Sequence, residues 1–252
     1  MKKTLIAIAA VVMTVSASYA QVLVAGWDFQ TTTTGGTAIA ASPATSKIYT
    51  ANFGSGTLYF DGSNGSSDWF VPATGSTSTE LNGFGGTSIN NTASDGTLLS
   101  SVTTSPSALV VIGGAGGAAA NGKSAVFAFS MAGKADLSIS LSAQRTSTGF
   151  TTQLWEYSAD GGSTWGNIGS FTIQSSFSST GVLSFAAFSA LDGVSDARLR
   201  LTFTGASNSS GNNRLDNIQL NAVVVPEPSS GALLVLGGVS LVAIRSLRKK
   251  NS

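Results

Sequence analysis

The stretch Ala197–Thr204 reads Ala-Arg-Leu-Arg-Leu-Thr-Phe-Thr. Leu199, Leu201 and Phe203 alternate with Arg198, Arg200 and Thr202, the period of two that puts one face of a strand on a core and the other in water. Asp136–Arg145 repeats the pattern, with Leu137, Ile139, Leu141 and Ala143 set against Ser138, Ser140, Ser142 and Gln144. Working outward, Thr152–Ser158 and Ile168–Ile173 flank a tight turn and read as a hairpin. Val22–Phe29, Gly56–Asp61, Ala108–Ile112, Lys123–Met131, Gly181–Phe188 and Arg214–Val224 complete a set of about nine or ten strands, by the same strand criteria. Residues 62–107 are turn-rich and predict long loops. Short strands, hairpin-length turns and no helical period make the chain all-β: a jelly-roll-like two-sheet β-sandwich, with a closed barrel as the lesser alternative. The body has no fixed-period repeat, which sets aside solenoids and propellers.

Composition narrows the chemistry. The 252 residues include no histidine and no cysteine. Without histidine the usual hydrolase triads and most zinc sites are gone, and without cysteine the core alone must hold the fold. The formal net charge of +1 hides a segregation: Lys2, Lys3, Arg245, Arg248, Lys249 and Lys250 lie at the ends, leaving an acidic excess between them. That balance is wrong for nucleic acid, which needs a basic patch.

Both ends read as addresses. Lys2 and Lys3 precede an apolar run, Leu5–Val15, and Ser18-Tyr19-Ala20 places small residues at −3 and −1. This is the secretory signal pattern, a short signal helix cut after Ala20. Residues 1–20 are therefore expected to be a signal peptide, 21–224 an extracellular β-sandwich domain, and 225–252 a separate tail. That tail has three parts in order: Pro226-Glu227-Pro228, the apolar run Ala232–Ile244, and the basic cluster Arg245, Arg248, Lys249 and Lys250. Gly231–Ile244 makes only about 21 Å of helix, against about 30 Å of hydrocarbon, so it spans marginally. The basic residues beyond it hold the far end in the cytoplasm. Pro226 and Pro228 keep the preceding chain extended and open to a protease. The competing reading is an ordinary permanent tail anchor.

Several internal motifs invite chemistry. Ser158–Trp165 (SADGGSTW) resembles the Asp-box, a hairpin motif repeated in sialidases and propellers, but it occurs once and reads as a rigid hairpin tip. Gly113–Gly117 (GGAGG) lacks the Gly-Lys-Ser/Thr ending of a phosphate loop and reads as a strand connection. Glu80 and Glu156, the glutamates of the body, are the route left to a two-carboxylate hydrolase, which needs them about 5–10 Å apart across a cleft. Asp28 and Asp216 sit on the first and last predicted strands, neighbours in many jelly rolls, and would suit a structural calcium held by oxygen alone. The alternative has Asp216, on the same face as Ile218 and Leu220, simply accepting turn amides at the rim. No other cofactor is expected. Trp69 and Trp155, with Phe70, Tyr157 and Trp165, are candidates for stacking on sugar rings, although large aromatics usually serve the core.

The C-terminal segment 225–252 resembles the PEP-CTERM sorting signal of Gram-negative bacteria that make exopolysaccharide, with all three parts present in order. The resemblance implies export through the secretion machinery, transient anchoring in the inner membrane by a C-terminal transmembrane sorting helix, and recognition of Pro226, Glu227 and Pro228 by an exosortase. The body would then reside at the cell surface or outside the cell. The sequences LDGVSDARLRLTFTG and SSGNNRLDNIQLNA also look like β-sandwich domains common in such proteins. These readings converge on a non-enzymatic surface or extracellular-matrix protein. The alternatives are a carbohydrate-binding module attached to exopolysaccharide or an external glycan and, behind both, the two-carboxylate hydrolase.

Overall fold

The computed structural model describes residues 20–29, 47–70, 80–86, 107–113, 119–175 and 183–225. Residues 1–19 of the signal segment, most of the Gly113–Gly117 turn, the sorting motif Pro226-Glu227-Pro228, the apolar run Ala232–Ile244 and the basic cluster Arg245, Arg248, Lys249 and Lys250 lie outside these residues. Thirteen strands are described: β1 (Gln21–Trp27), β2 (Ile48–Thr50), β3 (Phe53–Gly54), β4 (Gly56–Tyr59), β5 (Leu81–Gly86), β6 (Ser107–Ile112), β7 (Ser124–Phe129), β8 (Lys134–Arg145), β9 (Thr152–Ser158), β10 (Gly166–Thr172), β11 (Leu183–Phe188), β12 (Ala197–Thr204) and β13 (Asn212–Val224). No helix is described, and so none long and apolar enough to cross a membrane.

The strands form two antiparallel sheets stacked as a sandwich. One runs β11-β8-β13-β1-β3, with β5 and β6 added beside the first half of β13. The other runs β10-β9-β12-β7-β4-β2. From β6 onward the chain passes repeatedly from sheet to sheet, the jelly-roll-like habit that alternating patterning foretold. β12 alternates as its sequence does: Ala197, Leu199, Leu201 and Phe203 are buried while Arg198, Arg200, Thr202 and Thr204 are not.

Aromatic rings join the two layers. Trp27 of β1 meets Phe127 of β7 edge-on at 5.2 Å, and Phe127 stacks on Trp155 of β9 at 5.6 Å. A second chain of ring contacts links Phe29, Tyr49, Phe60, Trp69 and Phe203. Burial raises the Tyr49 phenol pKa well above its ordinary range.

β13 is the organising strand. Its first half lies between β6 and β8 and its second between β1 and β8. At its middle, Asn217 and Ile218 together oppose Leu141, a bulge between the pairs Asp216↔Ser142 and Gln219↔Ser140. Asn217 takes φ 48°, the left-handed conformation that asparagine tolerates better than most residues. The bulge reverses one alternation: Leu215, Ile218, Leu220 and Ala222 all enter the core, and Asp216 turns to the face of Ser142. Asp216 therefore does not share a face with Ile218 and Leu220, as strict alternation had implied.

Candidate functional site

The outer face of β10-β9-β12 presents three cross-strand rows. Asn167, Glu156 and Arg200 form the first, Ser170, Leu154 and Thr202 the second, and Thr172, Thr152 and Thr204 the third. Asn167, Ser170 and Thr172 on the edge strand are exposed. In the first row the Arg200 Nε donates to Glu156 Oε2 at 2.7 Å. The Arg200 guanidinium also lies over the Trp165 ring, 4.3 Å from its centroid, so the half-buried indole caps one end of the face.

Trp165 is placed there by the β9–β10 turn. Asp160 Oδ1 accepts the backbone N–H groups of Ser163 (3.0 Å) and Thr164 (2.9 Å) and the Ser158 hydroxyl (2.7 Å), while Thr164 Oγ1 donates to Asp160 Oδ2 at 2.6 Å. These bonds, led by that of the Thr164 side chain, hold the Asp160 carboxyl well below the usual carboxylate range. Gly161 and Gly162 supply φ 67° and 90°. The neighbouring turn, residues 61–68, reaches the same ring: a Cβ on Gly65 would lie 3.0 Å from Trp165 Cζ2. The Asp-box resemblance thus describes a rigid tip, and its tryptophan lies against the surface arginine of β12.

Trp69 and Trp155 do not form a sugar platform. Both are fully buried. Trp155 points inward because Glu156 and Leu154 take the outer face, and its ring stacks on Phe127. Trp69 joins the second aromatic chain and donates its Nε1–H to the Ser124 carbonyl at 2.8 Å. Trp165 and the 48% exposed Phe70 are the indole and phenyl rings left in reach of a ligand among those weighed from the sequence, while Tyr157 is half-buried against Phe188. Period-two alternation on β9 already separates Trp155 from Glu156, so the burial was recoverable from the sequence. The position of Trp165 depends on turn geometry and was not.

The carboxylates weighed for catalysis are each engaged. Glu80 is nearly buried, pairs with Lys123 and accepts the Phe70 N–H at 2.7 Å. Glu156 is held by Arg200. Each carboxylate thus has its own cation, and the two share no hydrogen bond or ion pair.

Asp28 follows Trp27 at the end of β1, and Trp27 pairs with Ile218, two residues beyond Asp216 on β13. Both aspartates are fully buried, with Asn52, Ser142 and Asn217 nearly so. Asn52 Oδ1 accepts the Asp28 N–H at 2.9 Å, and Asp216 Oδ1 accepts the Asn217 N–H at 2.7 Å. The carboxylate, amide and hydroxyl oxygens of these side chains are hard donors, the kind that calcium takes. Among the described residues, no group of three or more His, Cys, Asp or Glu side chains gathers anywhere.

No protein-family profile matches the chain, and no curated protein does. Solved structures give remote likenesses. The K2 cleaved adhesin domain of Lys-gingipain is similar at 11% identity and a TM-score of 0.35, over 80% of this chain and 99% of that one. A xylan-binding domain from CBM 22 is similar at 13% identity and TM-score 0.32, over 61% and 92%. A CBM28 module specific for non-crystalline cellulose is similar at 10% identity and TM-score 0.26, over 62% and 95%. At these values no ligand and no activity follow from the likeness.

Proposed function

We propose that this chain is an exported, non-catalytic β-sandwich protein of the cell surface or extracellular matrix, delivered through a removable C-terminal sorting tail. The observation that carries the reading is the adjacency of the body's two ends. Gln21 pairs with Val223 at one end of the sandwich, so a leader before Gln21 and a tail after Val225 would attach side by side. That arrangement suits a body held briefly at a membrane by one end, with its faces free. Its partners in this reading are the secretion machinery, the inner membrane and an exosortase acting at Pro226-Glu227-Pro228. Intact-mass analysis of the protein from an exosortase-bearing Gram-negative host is expected to show a chain that starts at Gln21 and ends near Glu227. Retention of Ser252 would overturn the sorting reading.

A second reading concerns what the body holds. The three outer rows offer hydroxyl and amide groups in a line, capped by Trp165 and its arginine, a composition that suits a polysaccharide chain. Pull-down on the host's exopolysaccharide is expected to retain the secreted protein. Ser170→Arg, an exposed position that leaves the core alone, should abolish retention, and Trp165→Ala should weaken it. Equal retention of all three proteins would remove the glycan site from this face.

Asp28 and Asp216 would hold a structural calcium in the same protein, anchoring β1 to the bulge of β13. Calcium is then expected to raise the melting temperature and EDTA to lower it, with Asp216→Asn removing the difference. A melting temperature indifferent to both treatments would argue against the ion.

A further inference from the structure

Three Asn-Gly pairs occur in the chain: Asn64-Gly65, Asn82-Gly83 and Asn121-Gly122. In such a pair the glycine nitrogen can attack the asparagine amide carbon, because glycine bends freely and has no Cβ to shield it. The three pairs are held differently. Asn121 has both ends of its amide engaged: Nδ2 donates to the Ala206 carbonyl at 2.8 Å, and Oδ1 accepts the Ala206 N–H at 2.9 Å. The Gly122 N–H, which would be the nucleophile there, donates to the Phe203 carbonyl at 2.8 Å. Asn82-Gly83 lies inside β5, between the pairs Leu81↔Val111 and Phe84↔Leu109. Asn64-Gly65 sits at the tip of the 61–68 turn, where Gly65 is exposed and its N–H has no partner among the described residues. The Asn64 amide makes one hydrogen bond among those residues, from Nδ2 to the Ser63 hydroxyl at 3.3 Å. Other bonds frame the turn without engaging the nucleophile. Asp61 Oδ1 accepts the Ser63 N–H at 3.1 Å, and the Ser66 N–H donates to the Ser63 carbonyl at 2.9 Å.

We propose that Asn64 is a self-modifying position, which loses its side-chain amide to give aspartate and isoaspartate while Asn121 stays intact. The Gly65 nitrogen gives its proton to water and bonds to Asn64 Cγ. The Cγ–Nδ2 bond breaks, and Nδ2 leaves as ammonia. Water then opens the five-membered ring. Breaking the bond from the ring nitrogen to Cγ restores the normal main chain, now with a carboxylate side chain. Breaking the bond to the main-chain carbonyl carbon instead leaves Gly65 linked through Cγ. The net change is one water consumed and one ammonia released, with no oxidant or reductant. Its consequence falls on the outer face of β12. A Cβ on Gly162 would lie 3.5 Å from both the Asn64 carbonyl oxygen and Arg198 Nη1, while Gly65 packs against Trp165. Modification thus brings a negative charge into the neighbourhood of the Arg198 guanidinium. The isoaspartate form also adds a carbon to the main chain where it meets the indole.

The test ages the full chain, purified and folded, at neutral pH. Site-resolved peptide mass spectrometry reads the amide-to-acid mass change, and labelling by an isoaspartyl methyltransferase reads the β-linked form. Asn64 is expected to convert more than about tenfold faster than Asn121, because ring closure at Asn121 must first break three hydrogen bonds. In denaturant both pairs belong to an open chain, and their rates should agree within about threefold. Equal rates at Asn64 and Asn121 in the folded protein would overturn the proposal. So would a folded Asn64 that keeps its amide while the denatured chain loses it. A difference that persists unchanged in denaturant would trace the effect to neighbouring residues rather than to the fold, and would overturn it as well.

Discussion

Gln153 sits in the apolar interior on β9, and neither of its amide atoms has a hydrogen-bond partner among the described residues. A buried amide without partners carries its full desolvation cost, whereas an apolar side chain of similar shape does not. Gln153→Met is therefore expected to raise stability by about 1 kcal/mol, seen as a higher urea midpoint with an unchanged slope. Asp160 shows the opposite case, a polar side chain with every bond made. Because its folded pKa is depressed, its contribution is present above the ordinary aspartate range and is lost as pH falls through the lower folded value. Hydrogen exchange should find the Ser163 and Thr164 amides protected at neutral pH and exposed there in Asp160→Ala. The motif reading of this turn was of a rigid hairpin tip, and the residues that make it one, Ser158, Asp160, Gly161 and Gly162, are local in sequence.

At the scale of the element, β13 shows what alternation can and cannot reveal. The long periodic strands β8, β9 and β12 were legible because every second residue repeats one character. β2, β3 and β5 were not, because three, two and six residues rich in polar groups or glycine leave no period to count. The bulge at Asn217 escaped for another reason: one added residue shifts the pattern by a step, and a strict period then assigns Asp216 to the wrong face. Asn217→Val forces a β-branched residue to φ 48° and should cost about 1–2 kcal/mol, with Asn217→Gly costing less than half of that in the same denaturant titration. The candidate site follows the same division. The rows on β9, β10 and β12 follow from alternation and register, while Trp165 reaches them through a turn that propensity does not specify.

For the molecule as a whole, the first and last strands lie side by side within one sheet, and their outer ends are in register at Gln21 and Val223. A two-residue Asn-Gly turn has the geometry to join such ends as a hairpin. A circular permutant so joined, and opened at the exposed Ala132-Gly133 turn, should unfold as cooperatively as the parent and at a similar denaturant midpoint. Failure to fold would show that the free ends of β1 and β13 matter beyond their pairing. The arrangement of the aromatic core has an optical consequence as well. Of the four tryptophans, Trp27, Trp69 and Trp155 are wholly enclosed among other rings, and Trp165 lies at the surface under a guanidinium. Three indoles therefore report unfolding through a red shift of emission, and one reports events on the outer face. A change in fluorescence intensity without a shift in the buried band would be the signal of an occupied surface on an intact sandwich.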